Sequence, residues 1–418
     1  MDESLLSRLR SLGVQLGNTP FSNNSTPKLE RLISIEKVIE GKNYPTIFGD
    51  IFISEKQYPP NYNHGIVNFS SSVDLSSLIA WSRIPFESIT SIDEFVFLDT
   101  ETSGLAGGTG TFIFLVGLGY WKNGQYFLNQ IFLREPDEEP AFLTALEEFL
   151  TPFKILVTYN GKSFDAPLLN NRFILNGFRS PVRNLHHIDL LSLTRRIWRN
   201  RLDDRSLGNL EHEILNLGRA EEEIPGWMVP QIYFEYLQTQ NATPLRGVFY
   251  HNEIDILSLS ALFLHLANLL RNPLGSPNPQ SLDLIAIARL YEELGDYTAA
   301  VQLYEASLEI GLPTHFFIQT LYRFANLHRR TGKIEAALAL WMKASEFNEV
   351  DACIEIAKFY EHQQKAYKQA IEWTDLALTY LDQSPLPRYL KNQRRLELEH
   401  RQQRLHQKHN RSTNQSKP

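Results

Sequence analysis

The feature that most limits what this chain can fold into is the run Glu94-Phe95-Val96-Phe97-Leu98-Asp99-Thr100-Glu101-Thr102. Four residues of buried type followed by polar ones read as a strand that ends at a surface. The segment TFIFLVGLGYWKNGQYFLNQIFL then reads as two further strands around the turn Lys122-Asn123-Gly124. Phe142, Leu143, Leu146, Phe149 and Leu150 share one face of a helix in PAFLTALEEFL. KILVTYN reads as a fourth strand, and SFDAPLLNNRFILNG as a helix that stops at Gly177. HHIDLLSLTRRIW and Leu207 to Leu217 read as helical stretches, and FYHNEIDILSLSALFLHLANLLRN as a long helix ending before Pro273. Strands first, then helix–strand–helix and a helical cap, is an α/β order that builds a mixed sheet with helices on its faces.

Three places in this stretch carry acids in suggestive positions. Residues i and i+2 of a strand face the same side, so Asp99 and Glu101 present two carboxylates together. Their repulsion is costly unless cations offset it, which a pair of divalent ions would do. Alone, D-x-E is equally the pattern of solvated strand-end acids. In Val157-Thr158-Tyr159-Asn160-Gly161-Lys162-Ser163-Phe164-Asp165, a strand runs into a helix whose first turn holds Asp165. Alone, that is the pattern of a helix cap. Finally, His251 and Asp255 stand at i and i+4 on one face of the last helix, alone an ordinary surface pair.

Taken in order, these three pieces resemble the three exonuclease motifs of the DEDD superfamily, the DnaQ-like branch of the ribonuclease-H fold. The likeness spans about 180 residues, and NGKSFDAPLL is similar to the second motif of the family-B polymerase exonucleases. With the helical repeats described below, the chain looks most like the YprB-like ribonuclease-H-like proteins. That resemblance implies an α/β ribonuclease-H-like mixed sheet with flanking helices over residues 93–272. It implies a 3′–5′ exonuclease that hydrolyses phosphodiester bonds at 3′ ends of DNA or RNA. Asp99, Glu101, Asp165 and Asp255 would ligate Mg²⁺ or Mn²⁺, two ions in all. Family members orient or deprotonate water with a Tyr four residues before the last Asp, or a His five before it. Here His251 stands four before Asp255 and Tyr250 five before it, a swap of residue types. Helical geometry favours His251, whose ordinary pKa suits a base, with Tyr250 as the alternative. A scaffold of weak or no catalysis, acting through the repeats, is the competing expectation; retention of all four acids speaks against it.

Other features read as follows. Gly104 to Thr111 resembles a phosphate-cradling loop, but no Gly-Lys-Ser/Thr follows, which disfavours a P-loop. Asp189 reads as a helix cap or as a further acid near the site, with the structural reading favoured. Arg195, Arg196, Trp198, Arg199, Arg201 and Arg205 form a basic stretch suited to phosphate contact and base stacking, or a solvated helix face. His64, beside Gly65, reads as a turn residue.

After NPLGSPNPQS the pattern is purely helical and repetitive over 281–383. Aligning Ala300, Ala337 and Ala370 brings Tyr297/Ile334/Tyr367 and Ser307/Ala344/Ala377 into register. The spacings of 37 and 33 bracket the tetratricopeptide period of about 34. This part resembles an all-α tetratricopeptide-like domain, implying a protein partner. Residues 384–418 read as a basic polar tail, a frayed helix or disordered. From Arg388 onward nine Lys/Arg face two Glu, so a chain of net charge −7 carries −14 elsewhere. Nucleic-acid affinity must then come from local patches and metal ions. Residues 1–92 open with an amphipathic pattern at Leu5, Leu6, Leu9 and Leu12 and continue as short strands with long loops. The one cysteine, Cys353, excludes an intrachain disulfide framework and reads as a buried thiol. MDESLLSRLRSL lacks the apolar core of a secretory signal, and Thr111 to Trp121 is too short to cross a bilayer. A cytoplasmic location and no membrane association are expected.

Overall fold

A computed structural model describes residues 32–69, 72–85, 91–104, 110–218, 224–276 and 278–415. The amphipathic pattern at Leu5 to Leu12 lies outside these residues. The strands in chain order are β1 (Lys42–Thr46), β2 (Gly49–Tyr58), β3 (Asn63–His64), β4 (Val67–Asn68), β5 (Phe95–Thr102), β6 (Ile113–Lys122), β7 (Gln125–Phe132), β8 (Ile155–Thr158) and β9 (His186–Asp189). Seven form one mixed sheet in the order β1-β2-β7-β6-β5-β8-β9, while β3 and β4 make a small separate hairpin. β5, β6 and β7 run antiparallel, and β8 and β9 add parallel to β5. The β6–β7 turn carries Asn123 and Gly124 at φ 53° and 79°. Two successive positive-φ residues match the right-handed twist of the strands they join.

Two findings depart from the sequence reading of this part. Residues 42–58, read as a region apart, extend the central sheet at the edge of β7. HHIDLLSLTRRIW, read as helix throughout, begins with strand β9, because Ile155 to Thr158 pair with His186 to Asp189 and bury Ile188 against the sheet core.

The helices are α1 (Ser76–Ser82), α2 (Glu139–Leu150), α3 (Asp165–Leu175), α4 (Leu190–Trp198), α5 (Leu207–Glu213), α6 (Val229–Thr239) and α7 (Leu245–Arg271). The pleat of β5 separates them. Val96 and Leu98 pack into a core with α2, α3 and α6. Phe95 and Phe97 face the other way, their rings 5.3 and 5.2 Å from Phe263 of α7. Such tilted and edge contacts contribute about 0.5–1.5 kcal/mol each beyond area burial. α7 is the one described helix long and apolar enough to cross a membrane, and most of its apolar stretch is buried inside the protein. His64 is a buried strand residue rather than a turn residue. It lies 2.8 Å from the Ser258 hydroxyl of α7, and Gly65, at φ 56°, makes the turn.

Six paired helices follow: α8 (Ser281–Leu294), α9 (Tyr297–Ile310), α10 (Thr314–Arg330), α11 (Ile334–Ser345), α12 (Val350–His362) and α13 (Tyr367–Gln383). Ala300, Ala337 and Ala370 are fully buried, as are Ser307, Ala344 and Ala377. Each set is small because the two helices of a pair touch there. The sheet core runs without a break from Phe97 and Phe263 to Leu284, Leu303 and Phe324 of the repeats. Buried Cys353 belongs to the last repeat, where burial pushes its thiol up to about 12.

The polar end of the chain is neither frayed nor disordered among the described residues. It forms α14 (Arg388–Gln415), with Leu398 and Leu405 buried. Arg401, Arg404 and Lys408 converge on Glu361, a carboxylate with no exposed side-chain surface, at 2.9, 3.0 and 2.8 Å. Arg394 pairs with Asp351 and Arg395 with Asp382. The positive charge of this segment is thus turned inward onto the acidic repeats.

Candidate active site

β5 and β8 run parallel, so their C-terminal ends meet at one edge of the sheet. Asp99 and Glu101 lie at the end of β5, where a register shift between Glu101 and Thr102 bends the β5–β6 ladder. Seven residues after Thr158 the chain turns into α3 at Asp165. That turn is held from below by Asp189, at the end of β9. Its carboxylate accepts from the backbone N–H of Asn160 at 2.8 Å, of Lys162 at 3.1 Å and of Leu191 at 3.0 Å. The first two fix the loop and the third caps α4. The structural reading of Asp189 therefore holds, and the residue also positions Asp165. Asn160 adopts φ 65°, and a Cβ on Gly161 would lie 2.5 Å from the Thr158 side chain, so Asn-Gly is required here.

The last acids come from α7, which crosses β6 closely. Gly117 of β6, opposite Asp99 in register, leaves the space. A Cβ there would sit 2.3 Å from Asn252 Oδ1 and 2.8 Å from Ile256. Through this approach Asn252 donates to Asp99 Oδ2 at 3.0 Å, while its own oxygen accepts from Gln130 at 3.0 Å. His251 Nε2 lies 3.5 Å from Asp255 Oδ2, and both side chains are largely shielded. Tyr250 is 40% exposed. On an α-helix it stands about 140° around the axis from Asp255, against about 40° for His251. Burial raises the Tyr62 hydroxyl, as do Glu253 and Tyr250, which groups Tyr250 with Tyr62 and Glu253.

The four acids act on one another. Burial pushes the Asp99 carboxyl well above its usual range, and Asp255 and Asp165 push it further. Burial also raises Glu101 strongly, followed by the charges of Asp99, Asp255 and Asp165. Asp165 is raised to about 6, mainly by burial, although the Thr100 hydroxyl, donating to Asp165 Oδ1, opposes this. Among the described residues no three acid, histidine or cysteine side chains stand in the close grouping of a formed metal cage. The donor set nevertheless fits a hard divalent cation, since it consists of carboxylate oxygens whose shared charge is poorly tolerated without one.

Sequence reading missed four residues here. Thr100 and Asn252 hold the acids by side-chain hydrogen bonds; an Asn on the buried face of an apolar helix was the available signal for the second. Two exposed rings also stand near the site in the chain: Phe164, 59% exposed directly before Asp165, and Trp227, 67% exposed next to Gly226, which lies against the His251 ring. Trp198 offers no stacking surface, being fully buried with its indole donating to Asp283 at 3.2 Å. Of the loop from Gly104 to Thr111, residues 105–109 lie outside the described set; its base is closed by Ser103 N–H to the Phe112 carbonyl at 2.9 Å.

Sheet order, with two outer strands parallel to β5 and acids gathered near the end of β5, is that of a ribonuclease-H-like protein, here followed by helical repeats. In agreement, a profile of the RNase_H superfamily matches residues 96–267, and a tetratricopeptide-repeat profile matches 284–310. "Uncharacterized protein YprB" of Bacillus subtilis (strain 168) is 32% identical over 351 residues, covering 80% of this chain and 82% of the relative. The chain belongs to this YprB-like family of ribonuclease-H superfamily proteins. A family B DNA polymerase from the hyperthermophilic archaeon Pyrobaculum calidifontis aligns over 55% of this chain and 29% of its own, at 17% identity and a TM-score of 0.31, too slight a likeness to bear on function.

Proposed function

We propose that the protein is a divalent-metal-dependent 3′–5′ exonuclease acting on DNA or RNA ends. The observation that carries this reading is the convergence of Asp99, Glu101, Asp165 and Asp255 from β5, α3 and α7, the first three raised above all by burial and Asp99 and Glu101 further by the charges of the other acids. Superfamily membership adds weight, because the ribonuclease-H fold implies a nucleic-acid ligand and its members generally use divalent metals. The 3′–5′ polarity rests on the resemblance to the DEDD exonucleases alone.

These acids would hold Mg²⁺ or Mn²⁺, which supplies Lewis acidity and charge neutralisation at the reacting phosphate. The chain's own residues do the rest. Asn252 and Thr100 fix the orientation of Asp99 and Asp165. His251, set beside Asp255, takes the proton from the attacking water. The water oxygen bonds to phosphorus, the bond from phosphorus to the 3′ oxygen of the penultimate nucleotide breaks, and that oxygen is protonated from solvent. Phe164 and Trp227 present apolar rings on which the terminal base can stack.

The test uses 5′-end-labelled DNA and RNA oligonucleotides of equal sequence with Mg²⁺ or Mn²⁺. Stepwise shortening from the 3′ end, lost in Asp99→Ala, is expected. Absence of metal-dependent hydrolysis on every DNA and RNA substrate would sink the enzyme reading and leave the scaffold.

A further inference from the structure

A cleft of about 710 Å³ opens between α4 with its following loop and the repeat helices α8 and α10. Six arginines line it, Arg195, Arg196, Arg199, Arg205, Arg289 and Arg323, against a single acid, Glu293. A second recess of about 470 Å³ shares Arg195 and Arg205 with the first and continues to Tyr159 and Asn160. Asn160 belongs to the turn that Asp189 holds and that leads into Asp165. The two recesses therefore form one path from the edge of the carboxylate site to the first repeats, with Asp203 and Asp204 as the acids on its rim.

Much of this charge is not spent on the protein. Arg196 pairs with Glu293, and Arg323 with Glu292. Among the described residues, Arg195, Arg199, Arg205 and Arg289 form no salt bridge to a carboxylate. The Nε atoms of Arg205 and Arg289 are moreover buried with no hydrogen-bond partner. Acids outnumber bases 48 to 41 in the chain, so this grouping of unpaired arginines is a departure from its surroundings. It asks for a ligand with several anionic groups in a row. His315 and Phe316 of α10, with Tyr159 at the other end, add flat rings to the lining. Arginines for phosphates and rings for bases are the combination that single-stranded nucleic acid uses.

We infer that this arginine-lined path binds the phosphate backbone of the single strand whose 3′ end occupies the carboxylate site. The inference rests on the exonuclease reading for the position of the 3′ end. The first repeats would then be part of the substrate channel.

The test is fluorescence anisotropy on the full-length protein, with labelled 4- and 20-nucleotide DNA and RNA single strands in EDTA, so that nothing is hydrolysed. The 20-mer is expected to bind more tightly than the 4-mer. Arg195→Gln combined with Arg199→Gln should weaken the 20-mer about tenfold and lower its salt dependence by about 0.7 in log–log slope per lost phosphate contact. The 4-mer should change less than about twofold, in binding and in Mg²⁺-dependent hydrolysis. Glu293→Gln, which frees Arg196, should tighten the 20-mer by about two- to fivefold, a gain that no misfolding produces. Unchanged 20-mer affinity in both variants would overturn the inference. So would competition by polyglutamate equal to that by an oligonucleotide of the same charge, or a preference for duplex over single strands. Arginine-dependent binding without any hydrolysis would remove the exonuclease reading and leave this one; hydrolysis with 20-mer binding and 20-mer turnover both indifferent to the arginines would do the reverse.

Discussion

The carboxylate site and the arginine cleft hold charge of opposite sign in opposite surroundings. At the end of β5 the acids are crowded against one another and shielded from water, so burial and like charge both push their protons on. In the cleft the arginines of α4 are exposed and hydrated, and guanidinium groups keep their protons in any surroundings. The first arrangement is unstable without a compact counter-charge and suits small divalent ions. The second waits for an extended polyanion. Burial, more than the number of charges, separates a place for chemistry from a place for holding a chain.

The sharpest way to break the comparison is to remove one acid. Asp99→Ala deletes both a proposed metal ligand and the partner of Asn252, and hydrolysis is expected to fall on the order of a thousandfold, several kcal/mol of lost charge stabilisation. Its affinity for a 20-mer in EDTA should not fall; a fall would join the two regions energetically. Next, His251→Phe should lower kcat by about a hundredfold or more, the range of general-base loss, whereas Tyr250→Phe should change it less than about threefold. Loss confined to Tyr250→Phe transfers the role to Tyr250. Raising salt from 50 to 200 mM should weaken 20-mer binding roughly fiftyfold if four phosphates are contacted, while turnover of a 4-mer stays nearly constant.

The smallest expected effect is on stability. Asp99, Glu101 and Asp165 have folded pKa values above their unfolded ones, so the native state binds protons more tightly than the unfolded state. That stabilisation is complete below about pH 4 and is lost as pH rises through about 6, the value for Asp165. For Asp165 alone the full swing is about 3 kcal/mol. Metal-free protein should therefore melt a few degrees higher at pH 5 than at pH 7.5, and added Mg²⁺ should reverse the order by stabilising most at pH 7.5. A Tm that falls on acidification across this window would contradict the crowding of the acids.

What the sequence discloses of these two regions differs for physical reasons. The acids sit on or beside long periodic elements, and the β5 run, the β6–β7 turn and α7 are each readable from local pattern. The contacts that organise the acids are not. Asn252 matters only because Gly117, opposite Asp99 on another strand, admits α7, and that register is a tertiary fact. β9 was hidden because four residues are too few to show a period and run directly into apolar α4. α6, with Pro230 near its start, gave no pattern that was read as a helix. α14 reads as a solvated tail because its docking depends on Glu361, some forty residues earlier. The arginine cleft was half visible: α4 showed its basic stretch, but Arg289 and Arg323 arrive from repeats separated by the Pro- and Gly-rich break.

The unbroken core between sheet and repeats has a further consequence. Leu284, Leu303 and Phe324 belong to the same continuous apolar core as Phe97 and Phe263, so the first repeats cannot swing away without opening the interior of the nuclease-like part. The carboxylates and the arginines are thereby held at a fixed separation, as marks on a ruler. On the proposed reading, a strand long enough to reach both would be gripped twice and a shorter one only once, so the rigidity of the shared interior would become a measure of substrate length.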